Sequence, residues 1–156
     1  LAQVGLSDFD RIVLASSSGG TQAGLAYGAA AAKSKTEVLG ISVDETKESL
    51  QKIVSDLTRA CGLNLEARFC LEPEDISVCA DYSEPGYAVL TGAEREAIQL
   101  FAKREGLLLD PVYTGRAAAG LLDLIRKGEI RQGERILFWH TGGAPALFPY
   151  ASELSS

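Results

Sequence analysis

The stretch Leu14 to Leu25, LASSSGGTQAGL, decides the fold, because it leads from an apolar strand through small residues directly into a predicted amphipathic helix. Small side chains allow the backbone to approach a bound anion closely. The first N–H groups of a helix have no partners within the helix, and the helix dipole favours negative charge at the same place. The stretch therefore predicts an anion site, and we expect a phosphate monoester as its ligand.

The same stretch also has a purely structural interpretation. Ser and Thr cap helices, and Ser/Gly turns recur in α/β folds without a ligand. The stretch lacks the Lys of the G-x-x-x-x-G-K-[ST] motif of NTPases and the spacing of the G-x-G-x-x-G motif of dinucleotide sites. Taken alone, it leaves phosphate binding and a structural turn equally open.

Short β-rich runs followed by helical patterns indicate β-α units and a parallel sheet. Strands are predicted over residues 11–15 (RIVLA), 37–43 (EVLGISV), 76–80 (ISVCA) and 135–140 (RILFWH). The fold class predicted from this alternation is α/β, with an open, mostly parallel sheet flanked by helices.

Capping residues give the bounds of the intervening helices. The start and stop signals are Asp44 and Gly62, then the capping box of Thr91 and Glu94 with Gly106, then Thr114 or Gly115 with Gly128. Three loops of unusual composition follow strand-like segments, over residues 16–21, 110–116 and 141–145. Because ligands of open α/β sheets collect beyond the carboxyl ends of the strands, we expect these loops to form the site.

Size and composition predict a single α/β domain over residues 1–156. The net charge of −6 argues against a nucleic-acid or anionic-membrane surface. The apolar runs are too short for a transmembrane helix or a signal peptide, so a cytoplasmic location is expected. The three cysteines form no C-x-x-C pair, so we expect buried, reduced thiols and no metal site.

Two tyrosines and a histidine are the candidate groups for chemistry. Tyr113 lies between Pro111 and the start of a helix, where positive backbone dipoles would help its phenol to ionise or to relay a proton. A packed, hydrogen-bonded structural role is the alternative for Tyr113 and equally for Tyr87. His140 is the single histidine of the sequence, which excludes a catalytic triad, and we expect it to cap the end of a strand.

The next segment, Thr141-Gly142-Gly143-Ala144-Pro145, offers a hydroxyl and close backbone approach to a flat ligand. A plain turn would have a similar sequence. The segment by itself does not distinguish between these two interpretations.

Four separate motifs together resemble one enzyme family: SSSGGTQAGL over residues 16–25, EPGY over 84–87, LDPVYTGR over 109–116 and HTGGAPAL over 140–147. They are similar to the C-terminal half of the pyridoxal-phosphate enzymes of the D-cysteine desulfhydrase and 1-aminocyclopropane-1-carboxylate (ACC) deaminase family. The resemblance implies the large-domain portion of the fold type II architecture, a three-layer arrangement like that of the tryptophan synthase β subunit. It also implies pyridoxal 5′-phosphate as the cofactor.

The resemblance assigns roles to individual residues. It implies that the cofactor phosphate lies against Ser17, Ser18, Gly19, Gly20 and Thr21. Tyr113 would meet the substrate, with Tyr87 as its companion. Thr114 and Thr141, followed by Gly142, would be the cofactor-ring contacts, in the pattern of desulfhydrases, in which a threonine hydroxyl contacts the ring nitrogen. A neutral partner weakens the electron sink of the ring, which favours β-elimination over opening of a cyclopropane.

The lysine that carries the cofactor in this family belongs to a Gly-Asn-Lys segment, and the six lysines lie in no such context: Lys33, Lys35, Lys47, Lys52, Lys103 and Lys127. Together with the absence of Met, this predicts a C-terminal fragment of a longer enzyme that is inactive by itself. The expected activity of the parent enzyme is desulfhydrase-type β-elimination from a small amino acid, giving pyruvate, ammonia and sulfide. ACC deaminase activity is one alternative, and a non-catalytic domain that binds a phosphate or a partner is another. The parent is expected to form homo-oligomers, most simply a homodimer.

Overall fold

A parallel sheet forms the centre of the protein, as a computed structural model of residues 9–65 and 69–154 shows. Within these residues the strands are β1 (Arg11–Ser16), β2 (Glu37–Ser42), β3 (Val78–Cys79) and β4 (Ile136–Phe138), in the order β3-β2-β1-β4. β1 pairs with β2 along its whole length and with β4 from Arg11 to Val13. All pairs are parallel, so the carboxyl ends of the strands lie at one edge, as the sequence predicts.

Helices cover both faces of this sheet. They are α1 (Gly20–Ala31), α2 (Lys47–Asn64), α3 (Gly92–Glu105), α4 (Thr114–Arg126) and the short α5 (Ala151–Leu154), with 3-10 turns at Pro73–Asp75 and Ala144–Leu147. α1 and α2 pack on one face around Val78, whereas α4 packs on the other around Val13 and Ile41. α3 packs against the outer side of α4. The predicted three-layer α/β fold is confirmed.

The start of α3 agrees with its sequence signal. Thr91 Oγ1 accepts a hydrogen bond from Ala93 N, and Glu94 Oε2 accepts one from Thr91 N at 2.9 Å. Gly106 then ends the helix in the left-handed region, at φ +68°. The capping residues therefore predicted both ends of this helix.

The predicted ends of α2 were wrong. Thr46, not Asp44, caps the helix, because Ser42 Oγ bonds both the N–H and the carbonyl of Glu45 and holds a turn before the helix begins. Gly62 lies inside the helix rather than ending it. A Cβ there would lie 3.1 Å from the carbonyl oxygen of Phe69, so this glycine serves close packing.

Three other expectations are also corrected. α1 is not amphipathic, since small residues such as Gly24, Gly28 and Ala31 make up its exposed face. Cys70 is exposed, and Cys61 and Cys79 are only partly buried, where buried thiols were expected. The third and fourth strands are shorter than predicted, at two and three residues. In the part of the chain described, no helix combines the length and hydropathy that crossing a membrane requires.

Candidate functional site

A cavity of about 280 Å³ opens at the carboxyl end of β1. It is lined by residues 15–22 together with Tyr113 and Thr141. Each of the three loops that the sequence singled out therefore contributes to it. The predicted site residues Ser17, Ser18, Gly19, Gly20 and Thr21 meet Tyr113 and Thr141 here, although they are far apart in the chain.

Backbone N–H groups at the start of α1 provide the anion-binding character of this cavity. Gly19 precedes the helix at φ +76° and no side chain caps it. The first helical bond runs from Ala23 N to Gly19 O at 2.8 Å, so the N–H groups of Gly20, Thr21 and Gln22 have no partner within the helix. The first turn also carries no acidic residue. The helix dipole at this end therefore favours an anion.

Glycine is required at position 19 for two reasons. An L side chain rarely adopts its backbone conformation. A Cβ would also lie 3.0 Å from Val54 Cγ2 and 3.1 Å from Ile53 Cγ2, both on α2. The packing of α2 under the loop thus fixes the backbone that faces the cavity.

Ser16, the last residue of β1, lies in the loop that was expected at the site, but its hydroxyl was given no role of its own. The residue is 4% exposed and lines the cavity, and its Oγ has no hydrogen-bond partner in the described part of the chain. A buried unpaired polar group costs roughly 1–3 kcal/mol. Its position at the end of a strand, directly before the small-residue loop, is the sequence signal that could have identified it.

The two candidate tyrosines form a pair at the mouth of the cavity. Tyr87 Oη and Tyr113 Oη are 2.7 Å apart, and the rings meet edge to face with centroids 5.9 Å apart. The hydrogen bond with Tyr87, followed by desolvation, raises the pKa of Tyr113 to about 12. This direction is opposite to the easier ionisation that the backbone dipoles led us to expect.

Asp110 holds Tyr113 in place, a role that the sequence did not predict, although its loop was expected at the site. It is 1% exposed, and its Oδ2 accepts hydrogen bonds from the N–H groups of Val112 and Tyr113, both at 2.8 Å. Its Oδ1 accepts from Thr114 N and Thr114 Oγ1, both at 2.7 Å. An aspartate directly before a Pro and a helix is the signal for such a cap.

Two predicted cofactor contacts do not line the cavity. Thr114 is buried, and its hydroxyl donates to Asp110 Oδ1 and accepts from Asp110 N. Gly142 lies beside Thr141 and donates its N–H to His140 Nδ1 at 2.9 Å. Of the two threonines that were predicted as ring contacts, Thr141 lines the cavity and Thr114 does not.

His140 connects the 141–145 loop to Leu108, just before the 110–116 loop. Its Nε2 lies 3.2 Å from the carbonyl oxygen of Leu108, while its Nδ1 accepts from Gly142 N. This agrees with the structural role predicted for it at the end of a strand. Gly143 adds to the connection, since a Cβ there would lie 2.7 Å from Asp110 Cβ.

The lysines lie away from this cavity. All six belong to the described residues and are exposed, and none is among the residues that line the cavity. No amine of residues 9–65 and 69–154 is therefore placed to bond covalently to a ligand in the cavity.

Comparison with known proteins gives a consistent result. The sequence profile of the family described as pyridoxal-phosphate dependent enzyme matches residues 1–142. A protein of Pyrococcus furiosus, provisionally named 1-aminocyclopropane-1-carboxylate deaminase, is 41% identical over 154 residues, which is 96% of this chain and 44% of that protein. The crystal structure of an ACC deaminase homologue superposes with a TM-score of 0.84 at 38% identity, covering 97% of this chain and 46% of the homologue. The chain thus spans about half the length of the relatives that it matches.

Proposed function

The chain belongs to the family of pyridoxal-phosphate-dependent enzymes, and on that basis we propose that its cavity holds the phosphate of pyridoxal 5′-phosphate in a lyase or deaminase acting on a small amino acid. The phosphate would lie against the backbone of Ser17 to Thr21 at the start of α1. The pyridine ring would extend toward Thr141 and the tyrosine pair.

The observation that carries this proposal is the unpaired hydroxyl of Ser16 beneath the start of α1. A phosphate oxygen would accept its hydrogen bond and those of the helical N–H groups. Gly20 leaves the space free, since nothing lies within 4 Å of where its Cβ would be. The residues present therefore fit a phosphate monoester.

When bound, the cofactor supplies an electron sink for the bonds at the α-carbon of an attached amino acid. The phenol of Tyr113 is protonated near neutral pH, as a phenol with the ordinary pKa of about 10 would be, and its pKa is raised further to about 12. It is therefore suited to donate a hydrogen bond to the substrate carboxylate or to deliver a proton, rather than to act as the resting base. Tyr87 orients that phenol through the 2.7 Å contact between the two hydroxyls.

For the reaction itself we favour β-elimination from D-cysteine or a similar β-substituted amino acid. Thr141 is the residue that supports this choice, since it places a neutral hydroxyl, not a carboxylate, on the cavity. A neutral partner at the ring nitrogen leaves the ring less protonated and the sink weaker, which suits departure of a good β-leaving group. ACC deaminase activity is the second candidate, favoured by the names of the two relatives.

Binding of pyridoxamine 5′-phosphate tests the phosphate assignment, because this probe has no aldehyde to react with surface lysines. By calorimetric titration we expect it to bind, and pyridoxamine without the phosphate to bind far more weakly. Gly20→Asp should abolish binding by placing a carboxylate where the phosphate lies.

Gly92→Asp is the matched control. Gly92 is likewise the first residue of a helix, with nothing within 4 Å of its would-be Cβ, but it lies outside the cavity lining. This variant should bind as the native chain does. Equal binding of the two probes, or equal losses in the two variants, would contradict the phosphate assignment.

Stable secondary amines made by borohydride reduction of the cofactor with an amino acid separate the two substrates. Phosphopyridoxyl-D-cysteine should bind more tightly than the adduct of ACC if the β-elimination proposal is right. The opposite order would favour the deaminase. Equal affinities of both adducts and of the bare probe would favour a non-catalytic phosphate-binding domain.

A further inference from the structure

Arg116 is a fully buried arginine near the start of α4, three residues after Tyr113. Its Nε donates to Glu94 Oε1 on α3 at 3.0 Å. Its Nη1 donates to Val43 O at 2.6 Å, and its Nη2 donates to Val89 O at 2.9 Å. The guanidinium therefore joins α3, α4, the end of β2 and the segment around Val89.

That last segment, residues 81–90, is the loop that carries Tyr87; we call it the 81–90 loop. Arg116 Nη1 also donates to Gly86 O at 3.0 Å and approaches Ser83 O at 3.4 Å. With Val89, the carbonyls on both sides of Tyr87 are thus held by one side chain. Arg116 contacts the loop backbone from the buried side, whereas the Tyr87 side chain is about half exposed.

The backbone of the 81–90 loop needs such support. Ala88, directly after Tyr87, has φ +60°, a region that residues with a Cβ adopt at a cost of roughly 1–2 kcal/mol. A strained residue of this kind persists when its surroundings fix it. Arg116 bonds the carbonyls of Gly86 and Val89 on either side, and Tyr150 Oη donates to Ala88 O at 2.7 Å.

We propose that Arg116 is a positioning residue, which holds the 81–90 loop so that the Tyr87 hydroxyl meets that of Tyr113. It also links the pair to the phosphate side, because Val43, which accepts from Arg116, donates its own N–H to Ser16 O at 3.0 Å. This inference rests on the proposed function, in that it assigns the tyrosine pair to the substrate.

A general contribution to stability is the competing explanation, since a buried ion pair with Glu94 could act only within the core. The two explanations differ in what they predict for the tyrosine pair in a variant that still folds. If Arg116 positions the loop, its loss separates the two hydroxyls, and the hydrogen bond with Tyr87 no longer raises the pKa of Tyr113. If Arg116 is merely structural, the pair stays as it is in any variant that folds.

The double variant Arg116→Met/Glu94→Gln tests this, because removing both partners avoids leaving a buried charge unpaired. The control is Arg126→Met/Glu96→Gln, the same pair of substitutions on the same two helices at an exposed ion pair of 2.5 Å. The readout is the titration of Tyr113 by ¹⁹F NMR in protein labelled with 3-fluorotyrosine. Tyr113→Phe assigns the signal, and Tyr87→Phe gives its value without the hydrogen bond. No cofactor is added.

In the buried double variant we expect the Tyr113 midpoint to fall by roughly one unit or more, to the value in Tyr87→Phe. The control should keep the native midpoint. Arg116→Lys keeps the charge but not the forked guanidinium that reaches several carbonyls. The titration midpoint of Tyr113 should therefore fall in this variant too.

A native midpoint in a folded buried variant overturns the proposal. So does loss of the fold in both the double variant and Arg116→Lys, since that would make Arg116 a residue of the core alone. Failure of the phosphate assignment would instead appear in the binding of pyridoxamine 5′-phosphate, with these titrations unaffected.

Discussion

At the scale of single residues, the orphaned hydroxyl of Ser16 makes a specific prediction. Ser16→Ala should leave the free energy of unfolding unchanged or raise it by up to about 1 kcal/mol, because a buried unpaired group is removed. The dissociation constant for pyridoxamine 5′-phosphate should rise about tenfold, the loss expected for one hydrogen bond to a charged group. Urea denaturation and calorimetry measure the two effects.

Ser42 gives the matched control for this substitution. It is the cross-strand neighbour of Ser16 on β2 and is also buried, but its hydroxyl already bonds Glu45. Ser42→Ala should therefore cost about 1 kcal/mol of stability and leave binding unchanged. A stability loss at Ser16 as large as that at Ser42 would show that the Ser16 hydroxyl is satisfied within the protein.

Gly143 makes a second prediction at this scale. Gly143→Ala should destabilise the fold by about 2–4 kcal/mol, because the new Cβ would lie 2.7 Å from Asp110 Cβ at a backbone φ of +97°. Gly142→Ala has a similar φ of +103° but nothing within 4 Å, so it should cost only about 1–2 kcal/mol. If chemical denaturation showed equal losses of stability in the two variants, the close contact between Gly143 and Asp110 would be contradicted.

Single residues were predicted from sequence only in part. The small residues from Ser17 to Thr21 could be assigned to the cavity because their pattern is local. The partners of Thr114 could not, since its hydroxyl faces Asp110 only once the turn has formed. The raised pKa of Tyr113 was likewise out of reach, because it depends on a tyrosine twenty-six residues earlier in the chain.

At the scale of elements, the acid stability of α4 can be predicted from one carboxylate. Asp123 accepts hydrogen bonds from Lys127 and from Tyr82 Oη at 2.5 Å, and these contacts lower the pKa of Asp123. A lowered carboxyl pKa contributes stability that is present above its ordinary value of about 4 and is lost as the pH falls through the lowered value. Tyr82→Phe should therefore lessen the fall in melting temperature between pH 5 and about pH 2.

Tyr150→Phe serves as the control, because Tyr150 donates to the carbonyl of Ala88 rather than to a carboxylate. Its melting temperature should follow the native pH dependence with a constant offset. If Tyr82→Phe also runs parallel to the native protein, the hydrogen bond to Asp123 does not contribute to acid stability.

Elements whose signals are local were predicted well. The capping box of Thr91 and Glu94 and the left-handed Gly106 gave both ends of α3. α2 was harder, because Ser42 forms a turn with Glu45 ahead of the helix and Gly62 is required by packing against Phe69. The two-residue length of β3 depends on its pairing with β2 at the sheet edge, which no local pattern encodes.

At the scale of the whole molecule, parallel pairing explains why the site could be foreseen. The loops after β1 and β4 must lie at the same edge when the strands are parallel, and α4 brings Tyr113 to that edge. The position of the 81–90 loop could not be predicted in this way, because it depends on hydrogen bonds that Arg116 donates to backbone carbonyls of the loop.

The distribution of lysines gives the prediction at this scale. After incubation with pyridoxal 5′-phosphate and reduction with borohydride, mass mapping should show partial labelling spread over the six exposed lysines. The pattern should be the same in Gly20→Asp. One lysine labelled stoichiometrically, and protected from labelling by Gly20→Asp, would mean that this chain itself carries the residue to which the cofactor attaches.

The measurement that tests the central claim most directly is a two-dimensional ¹H–¹⁵N NMR titration with pyridoxamine 5′-phosphate. We predict that the largest amide shifts occur at Gly19, Gly20 and Thr21, at the start of α1. A second hollow of about 420 Å³, lined by Ile12, Gly24, Leu137 and Trp139 among others, offers an apolar alternative. Shifts confined to those residues, or no shifts at saturating probe, would contradict the assignment of the phosphate to this loop.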